Sequence, residues 1–181
     1  MMKFLAPVAL ASAALLAALP AAATTTVYNA TLTGSAEAPP NSSTAIGLGI
    51  VTFDDVALTV TVNELYLGLT GGAVTGSHIH CCTATAGTGT SPVVVDFMSA
   101  GFPTTTSGNY DHTFTLSAAS FASLSAGAAA GKAYLNIHNA VFPGGEIRGF
   151  LVAQVPEPAS YALMFAGLAA VGLVARRRRP Q

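Results

Sequence analysis

The chain has 181 residues, of which 51% are hydrophobic and only 8% are charged. This composition is too apolar for a disordered chain and too poor in charge for an ordinary soluble protein. Five of the seven basic residues are Lys3 and the four arginines at 176–179, which leaves two basic and seven acidic side chains between the ends, a net charge near −5. A middle segment of that sign excludes a nucleic-acid partner, which would require a basic surface.

The N-terminus has the features of a secretory signal peptide. Lys3 precedes an apolar run over residues 4–19, and small residues follow up to Ala23. A basic start, an apolar stretch and an Ala-x-Ala site predict that signal peptidase cuts after Ala23. A permanent membrane anchor is the alternative, but Pro7 and Pro20 would shorten its helix.

Residues 24–153 are predicted to form one all-β domain. Apolar and polar residues alternate in short runs; in residues 56–63, for example, Leu58, Val60 and Val62 would share one face. Gly, Pro, Asn and Ser clusters separate the runs, and this pattern is typical of a β-sandwich or barrel. The strand candidates are Thr26–Thr33, Ile46–Phe53, Val56–Asn63, Glu64–Leu69, Gly76–His80, Val93–Phe97, Asp111–Leu116, Ala133–His138 and Glu146–Val152.

One segment of this domain is predicted to be helical. Residues 117–130 are rich in alanine and lack β-branched side chains, which favours one or two helical turns. Phe121 and Leu124 are three residues apart and would face the same side. Gly131 is placed to end the helix.

Three histidines are the main candidates for a metal site. His78 and His80 would share a strand face because they are two residues apart, and His138 ends another predicted strand, on the face of Tyr134 and Asn136. Imidazoles brought together in this way suit copper, zinc or nickel. Equally, they could hydrogen-bond within the fold and bind nothing.

Other side chains could complete or extend such a site. Asn139 and Glu146 could orient a ligand ring, and His112, beside Asp111, is a weaker fourth candidate. Glu146 and Arg148 are otherwise interpreted as structural residues of one strand face. Gly144-Gly145 favours a hairpin turn over a phosphate-binding loop, because neither a lysine nor a helix follows.

Cys81 and Cys82 are the two cysteines and directly follow His80. Their Cα atoms would be ~3.8 Å apart across a trans peptide, closer than most disulfides allow. A strained bond between them, free thiols, bonds to another chain and soft metal ligation all remain open. As thiolates beside imidazoles, they would favour Cu(I) or zinc.

The C-terminus combines a short motif, an apolar run and a basic cluster. Pro156-Glu157-Pro158 precedes 17 apolar or small residues at 159–175, and Arg176, Arg177, Arg178 and Arg179 follow. A helix of that length spans about 26 Å, near the short limit for crossing a bilayer. Because arginines stay on the cytoplasmic side, residues 159–175 are predicted to be a transmembrane helix with the β domain outside.

The sorting tail is predicted to comprise residues 154–181, and its residues Val155 to Pro180 strongly resemble the PEP-CTERM sorting signal of Gram-negative bacteria. The resemblance implies an exosortase in the inner membrane that cuts near Pro-Glu-Pro. The protein would then stay only transiently in that membrane, with its domain in the periplasm, before reaching the cell surface or the medium. A permanent single-span anchor is the alternative.

The middle segment, about residues 27–152, resembles the CHRD domain, a module named from chordin. The residues that carry the resemblance are the opening ATLTGSAEAPP (30–40), the central His78-Ile79-His80, and the closing AYLNIH (133–138) and FPGGEIRG (142–149). The resemblance implies an immunoglobulin-like β-barrel, which agrees with the strand pattern. It implies little about biochemical activity.

Three functions follow from these features. The first is a non-enzymatic cell-surface or matrix module, with exopolysaccharide or another envelope component as its partner in a biofilm context. The second is an envelope protein that binds copper or zinc through His78, His80 and His138. The third, an enzyme similar to copper,zinc superoxide dismutase, is disfavoured because four histidines are too few for a two-metal site.

Overall fold

The structure is a computed structural model that describes residues 24–154, Met164 and residues 166–169. The strands are β1 (Thr25–Thr33), β2 (Ile46–Asp54), β3 (Thr59–Leu67), β4 (Val74–His80), β5 (Val93–Asp96), β6 (Gly108–Thr115), β7 (Tyr134–Asn139), β8 (Ile147–Phe150) and β9 (Val152–Ala153). Helix α1 is Ala118–Ala129, and short 3₁₀ turns lie at Gly34–Ala36 and Met98–Ala100.

The nine strands of the described residues belong to one curled antiparallel sheet. Its order is β5-β4-β7-β8-β1-β2-β3-β6, and β9 pairs with β1 beside β8. The prediction of an all-β fold is therefore confirmed. Since the strands are hydrogen-bonded in one path, the architecture lies closer to a half-open barrel than to two separate sheets. The predicted signal helix lies outside the described residues.

The core fills the inside of the curled sheet, and alternation along the strands explains which residues face it. Val60 and Val62 of β3 are fully buried, as their spacing predicts. Leu58 instead occupies the preceding turn with φ of 54°, and packs against the core from there. The two strand candidates over residues 56–69 are one continuous strand, β3, while the last candidate divides into β8 and β9.

Helix α1 confirms the predicted helical segment but is longer than two turns. The Ser117 side chain accepts a hydrogen bond from the Ser120 amide at 3.2 Å, which caps the first turn. Phe121 and Leu124 are buried, so their shared face covers the core. Gly131 follows the helix with φ of 67°, a conformation that glycine adopts without strain.

A buried polar network fastens the segment after β1 to the sheet. Glu37 accepts a hydrogen bond from the Asn136 side chain at 2.6 Å and lies 3.9 Å from the Arg148 guanidinium. Arg148 also donates to the carbonyls of Ala36 and Gly89. Burial raises the pKa of Glu37 to about 7, although Arg148 and Asn136 act to lower it. The structural interpretation of Arg148 agrees with these contacts.

Glu146 forms a second network, at the start of β8. Its carboxylate accepts hydrogen bonds from the Ser43 hydroxyl at 2.6 Å, from the amide and hydroxyl of Thr70 at 2.6 and 2.8 Å, and from the Gly71 amide at 3.1 Å. The Asn139 side chain is a fifth donor. Burial acts to raise the pKa of Glu146, but these hydrogen bonds outweigh it and the pKa is lowered. Glu146 therefore holds two loops against β7.

No helix among the described residues is long and apolar enough to cross a membrane. The predicted transmembrane segment, residues 159–175, lies almost wholly outside the part of the chain that the structure describes; within it, Met164 and residues 166–169 are helical.

Candidate metal centre

The neighbouring strands β4 and β7 bring the three predicted histidines together. His78 and His80 lie on one face of β4, and His138 lies on the same face of β7, where it pairs with Gly76. One ring nitrogen from each histidine lies within 4.8 Å of the other two. The ring centroids are 5.1 to 5.9 Å apart. This face is opposite the core face, on which Ile79 is fully buried.

Backbone carbonyls fix the tautomers of two of these rings. His80 Nδ1 lies 2.8 Å from the Ser91 carbonyl oxygen, and His138 Nδ1 lies 3.0 Å from that of Pro143. A carbonyl oxygen only accepts hydrogen bonds, so each Nδ1 must carry its proton. The Nε2 atom of each neutral ring then holds a free lone pair.

The third ring lies beside a carboxylate. His78 Nε2 lies 3.5 Å from Asp96 Oδ1, on the adjacent strand β5. A proton on Nε2, the nitrogen nearer that carboxylate, would leave the lone pair on His78 Nδ1. His78 Nδ1, His80 Nε2 and His138 Nε2 are all buried and have no hydrogen-bond partner. Each of the three clustered rings thus carries one buried nitrogen without a protein partner.

The environment keeps all three imidazoles neutral near pH 7. Burial lowers the pKa of His78 to about 4, and repulsion from His138 and His80 adds to the effect, against the attraction of Asp96. Burial also lowers the pKa of His80 and of His138, although the carbonyl contacts of both rings act in the opposite direction. Neutral imidazole is the form that coordinates metal ions.

Gly76 makes room for the rings. A Cβ atom at this position would lie 2.8 Å from His78 Cε1 and 3.6 Å from His138 Cδ2. Any larger residue would therefore push the His78 ring from its present position, whereas its distance from His138 would be an ordinary van der Waals contact. The absence of a side chain at residue 76 is part of what allows His78 and His138 to approach each other.

Tyr134 forms one wall of the cluster. Its ring stacks on His80 with centroids 4.7 Å apart and an interplanar angle of 2°. The tyrosine hydroxyl accepts a hydrogen bond from the Ser91 amide at 3.3 Å, and the Arg148 guanidinium lies 5.1 Å from the ring centroid. Tyr134 lies on β7, between His80 of β4 and Arg148 of β8, and the Arg148 charge still acts to lower the pKa of His80.

Cys81 and Cys82 are bonded to each other in the structure. Cys81 is buried and Cys82 is exposed, and both sulfur atoms lie against Gly127 of helix α1. Neither sulfur is a thiolate in this form, and the group of nearby nitrogens does not include them. Of the alternatives left open by the sequence, the structure contains the bond between the two neighbours.

The other candidate residues lie elsewhere. His112 is on β6, beside the rings of Tyr110 and Phe114, and is not part of the cluster. Asn139 and Glu146 bond to each other rather than to a histidine, so the prediction that they orient a ring is wrong. Ring orientation comes instead from Ser91, Pro143 and Asp96. Two of these contacts use backbone carbonyls, and the amino-acid sequence does not indicate which carbonyl will lie beside a given side chain.

The predicted sorting residues, Pro156, Glu157, Pro158 and the four arginines at 176–179, lie outside the described residues.

Both the β domain and the C-terminal tail match known families. Residues 28–151 match the CHRD domain, and residues 154–179 match the PEP-CTERM protein-sorting motif. No curated protein and no solved structure gives a match.

Proposed function

Since the chain belongs to the CHRD domain family and ends in a PEP-CTERM sorting motif, we propose that it is a non-enzymatic binding module of the cell surface or extracellular matrix. The main observation behind this proposal is that the sorting motif directly follows the folded domain. The folded domain ends at residue 153, and the sorting motif begins at residue 154 without a linker domain between them.

The sorting motif makes this an exported protein that an exosortase processes on its way to the cell surface. The finer steps belong to the proposal: signal peptidase removes residues 1–23, the tail crosses the inner membrane transiently with the domain in the periplasm, and cleavage near Pro156-Glu157-Pro158 releases the domain outward. Cell-surface exopolysaccharide or another envelope component is the proposed partner.

Two features of the domain support a binding role without catalysis. Within residues 24–154, the histidine hydrogen bonds run to backbone carbonyls, and none reaches a serine, threonine or cysteine side chain that it could activate. Exposed hydroxyls line part of the sheet, as in the pair formed by Thr61 and Thr113 at 2.9 Å. Neutral hydroxyls offer donors and acceptors to a polysaccharide without requiring charge.

Replacing Pro156, Glu157 and Pro158 together by alanine is expected to prevent release to the cell surface. Without the motif the exosortase has no substrate, so the protein should accumulate in the inner membrane with its domain in the periplasm. Fractionation and protease accessibility in spheroplasts measure this distribution. Val155→Ala, which leaves the motif intact, is the matched control and should behave as the unmodified chain. An unchanged distribution of the triple variant would contradict the proposal.

A further inference from the structure

We propose that His78, His80 and His138 form a mononuclear site for a late first-row transition-metal ion, and that Cu²⁺ is the ion bound most tightly. This goes beyond a surface-binding role, because it assigns a ligand to a particular face of β4 and β7. It holds whether or not the tail is cut.

Unpaired lone pairs are the first argument. A buried polar atom without a partner costs free energy, and most such atoms in folded proteins are hydrogen-bonded. Here three of them, His78 Nδ1, His80 Nε2 and His138 Nε2, belong to one cluster. A bound cation satisfies all three lone pairs at once, whereas hydrogen bonds among the rings cannot, because each remaining N–H is directed away.

The outer contacts of the rings are the second argument. Histidines that bind metals usually donate their other N–H to a carbonyl or a carboxylate, which orients the ring and raises its basicity. Two of the rings have such an acceptor, the carbonyls of Ser91 and Pro143, and the Asp96 carboxylate lies 3.5 Å from Nε2 of the third, His78. These acceptors come from three different segments of the chain.

The chemical type of the ligand atoms determines which metal ions suit the site. Three neutral imidazoles without a carboxylate ligand suit copper, zinc and nickel and disfavour magnesium and calcium, which prefer oxygen. Among divalent ions, affinity at a nitrogen site rises to a maximum at Cu²⁺. Metal–nitrogen bonds of about 2.0–2.1 Å place ligand nitrogens roughly 3.4 Å apart. Nitrogens that now lie within 4.8 Å of one another would have to approach by up to about 1.4 Å to reach that spacing.

The histidine rings differ in exposure. The His78 side chain is 19% exposed, while His80 is almost fully buried, so the cluster lies just below the surface. Three protein ligands leave at least one coordination position free for water or an external ligand. The Asp96 carboxylate, 44% exposed beside His78, adds negative charge at the entrance.

Titration of the tag-free full chain in detergent, stripped of metal with EDTA, tests the proposal with Cu²⁺ and Zn²⁺ as separate probes. One Cu²⁺ should bind per chain with a Kd of roughly 1 µM or tighter. His80→Ala should weaken binding by about 100-fold or more, and Asp96→Asn by about 10-fold through loss of ring orientation. His112→Ala is the matched control, since its ring lies outside the cluster, and should bind Cu²⁺ like the unmodified chain.

A spectroscopic measurement on the unmodified protein tests the site without relying on a variant that could misfold. Electron paramagnetic resonance of the unmodified protein with one equivalent of Cu²⁺ should show coupling to several nitrogen nuclei. Gly76→Ala should alter that spectrum by displacing the His78 ring. The proposal is overturned if Cu²⁺ binds more weakly than about 10 µM, if the bound ion shows no nitrogen coupling, or if His80→Ala variants that retain the native circular dichroism spectrum bind Cu²⁺ unchanged.

Discussion

Glu146→Ala is expected to lower the free energy of unfolding of the β domain by about 3–5 kcal/mol. The substitution removes the acceptor for five hydrogen bonds, from Ser43, Thr70, Gly71 and Asn139. Glu146 is fully buried, so water cannot readily replace these contacts. Two backbone amides, of Thr70 and Gly71, would lose their partner inside the fold, which is the largest part of the expected cost.

Guanidinium denaturation of the mature protein at pH 7 measures this change. Because the pKa of Glu146 is lowered, its carboxylate stabilises the fold above the ordinary pKa of 4.5, and that contribution is lost as pH falls through the folded-state pKa. The difference between the unmodified chain and Glu146→Ala should therefore shrink in acid. A loss below about 1 kcal/mol at pH 7 would mean that the network contributes no more than an average surface contact.

Glu64→Gln is expected to have the opposite effect and to stabilise the domain at alkaline pH. Both carboxyl oxygens of Glu64 are buried without a hydrogen-bond partner, on an inward position of β3. Burial raises the pKa of Glu64 to about 8. Folding above that pH must bury an unpaired negative charge, whereas glutamine has the same shape without the charge.

The sign of the pH dependence follows from proton binding. Between the ordinary pKa of 4.5 and about 8, the folded state holds a proton on Glu64 that the unfolded state has released. The free energy of unfolding therefore falls as pH rises through this window, by roughly 3–5 kcal/mol in total. The protonated carboxyl at pH 4 resembles glutamine, so the two proteins should be nearly equal there.

Denaturation curves at pH 4.5, 6.5 and 8.5 check this difference. Glu37, whose pKa is also raised, contributes a fall of the same sign to both proteins and cancels in the comparison. Glu146→Gln is the matched control: the same chemical change at a hydrogen-bonded carboxylate should destabilise. A difference between Glu64→Gln and the unmodified chain that does not change with pH would contradict the claim that folding buries an unpaired carboxyl at Glu64.

The sequence was most informative where alternation alone determines position. His78 and His80 share a face because they are two residues apart on a strand, and His138 shares it with Tyr134 for the same reason. The pairing of β4 with β7, however, is a property of the whole sheet. Residues about 60 positions apart can be recognised as neighbours only when the strand order is known. The histidine cluster was therefore a hypothesis until the strand order placed β4 beside β7.

Strand β2 shows why hydrophobicity alone does not always reveal which residues of a strand face the core. Ile46, Leu48 and Ile50 alternate as a core-facing set would, yet all three are about half exposed. Gly47 and Gly49 face inward instead, because Leu32 and Leu135 already fill the space beside them. A shift of one residue exchanges the two faces of a strand, and packing against distant strands decides between them.

Intact mass spectrometry of the protein recovered from the cell surface tests the central claim of export and sorting most directly. The account expects one species that begins at Thr24 and ends near the Pro156-Glu157-Pro158 motif, without the four arginines. The same measurement on cells that lack the exosortase should give a species that keeps its tail. Recovery from the surface of a chain that retains residues 159–181 would contradict the account.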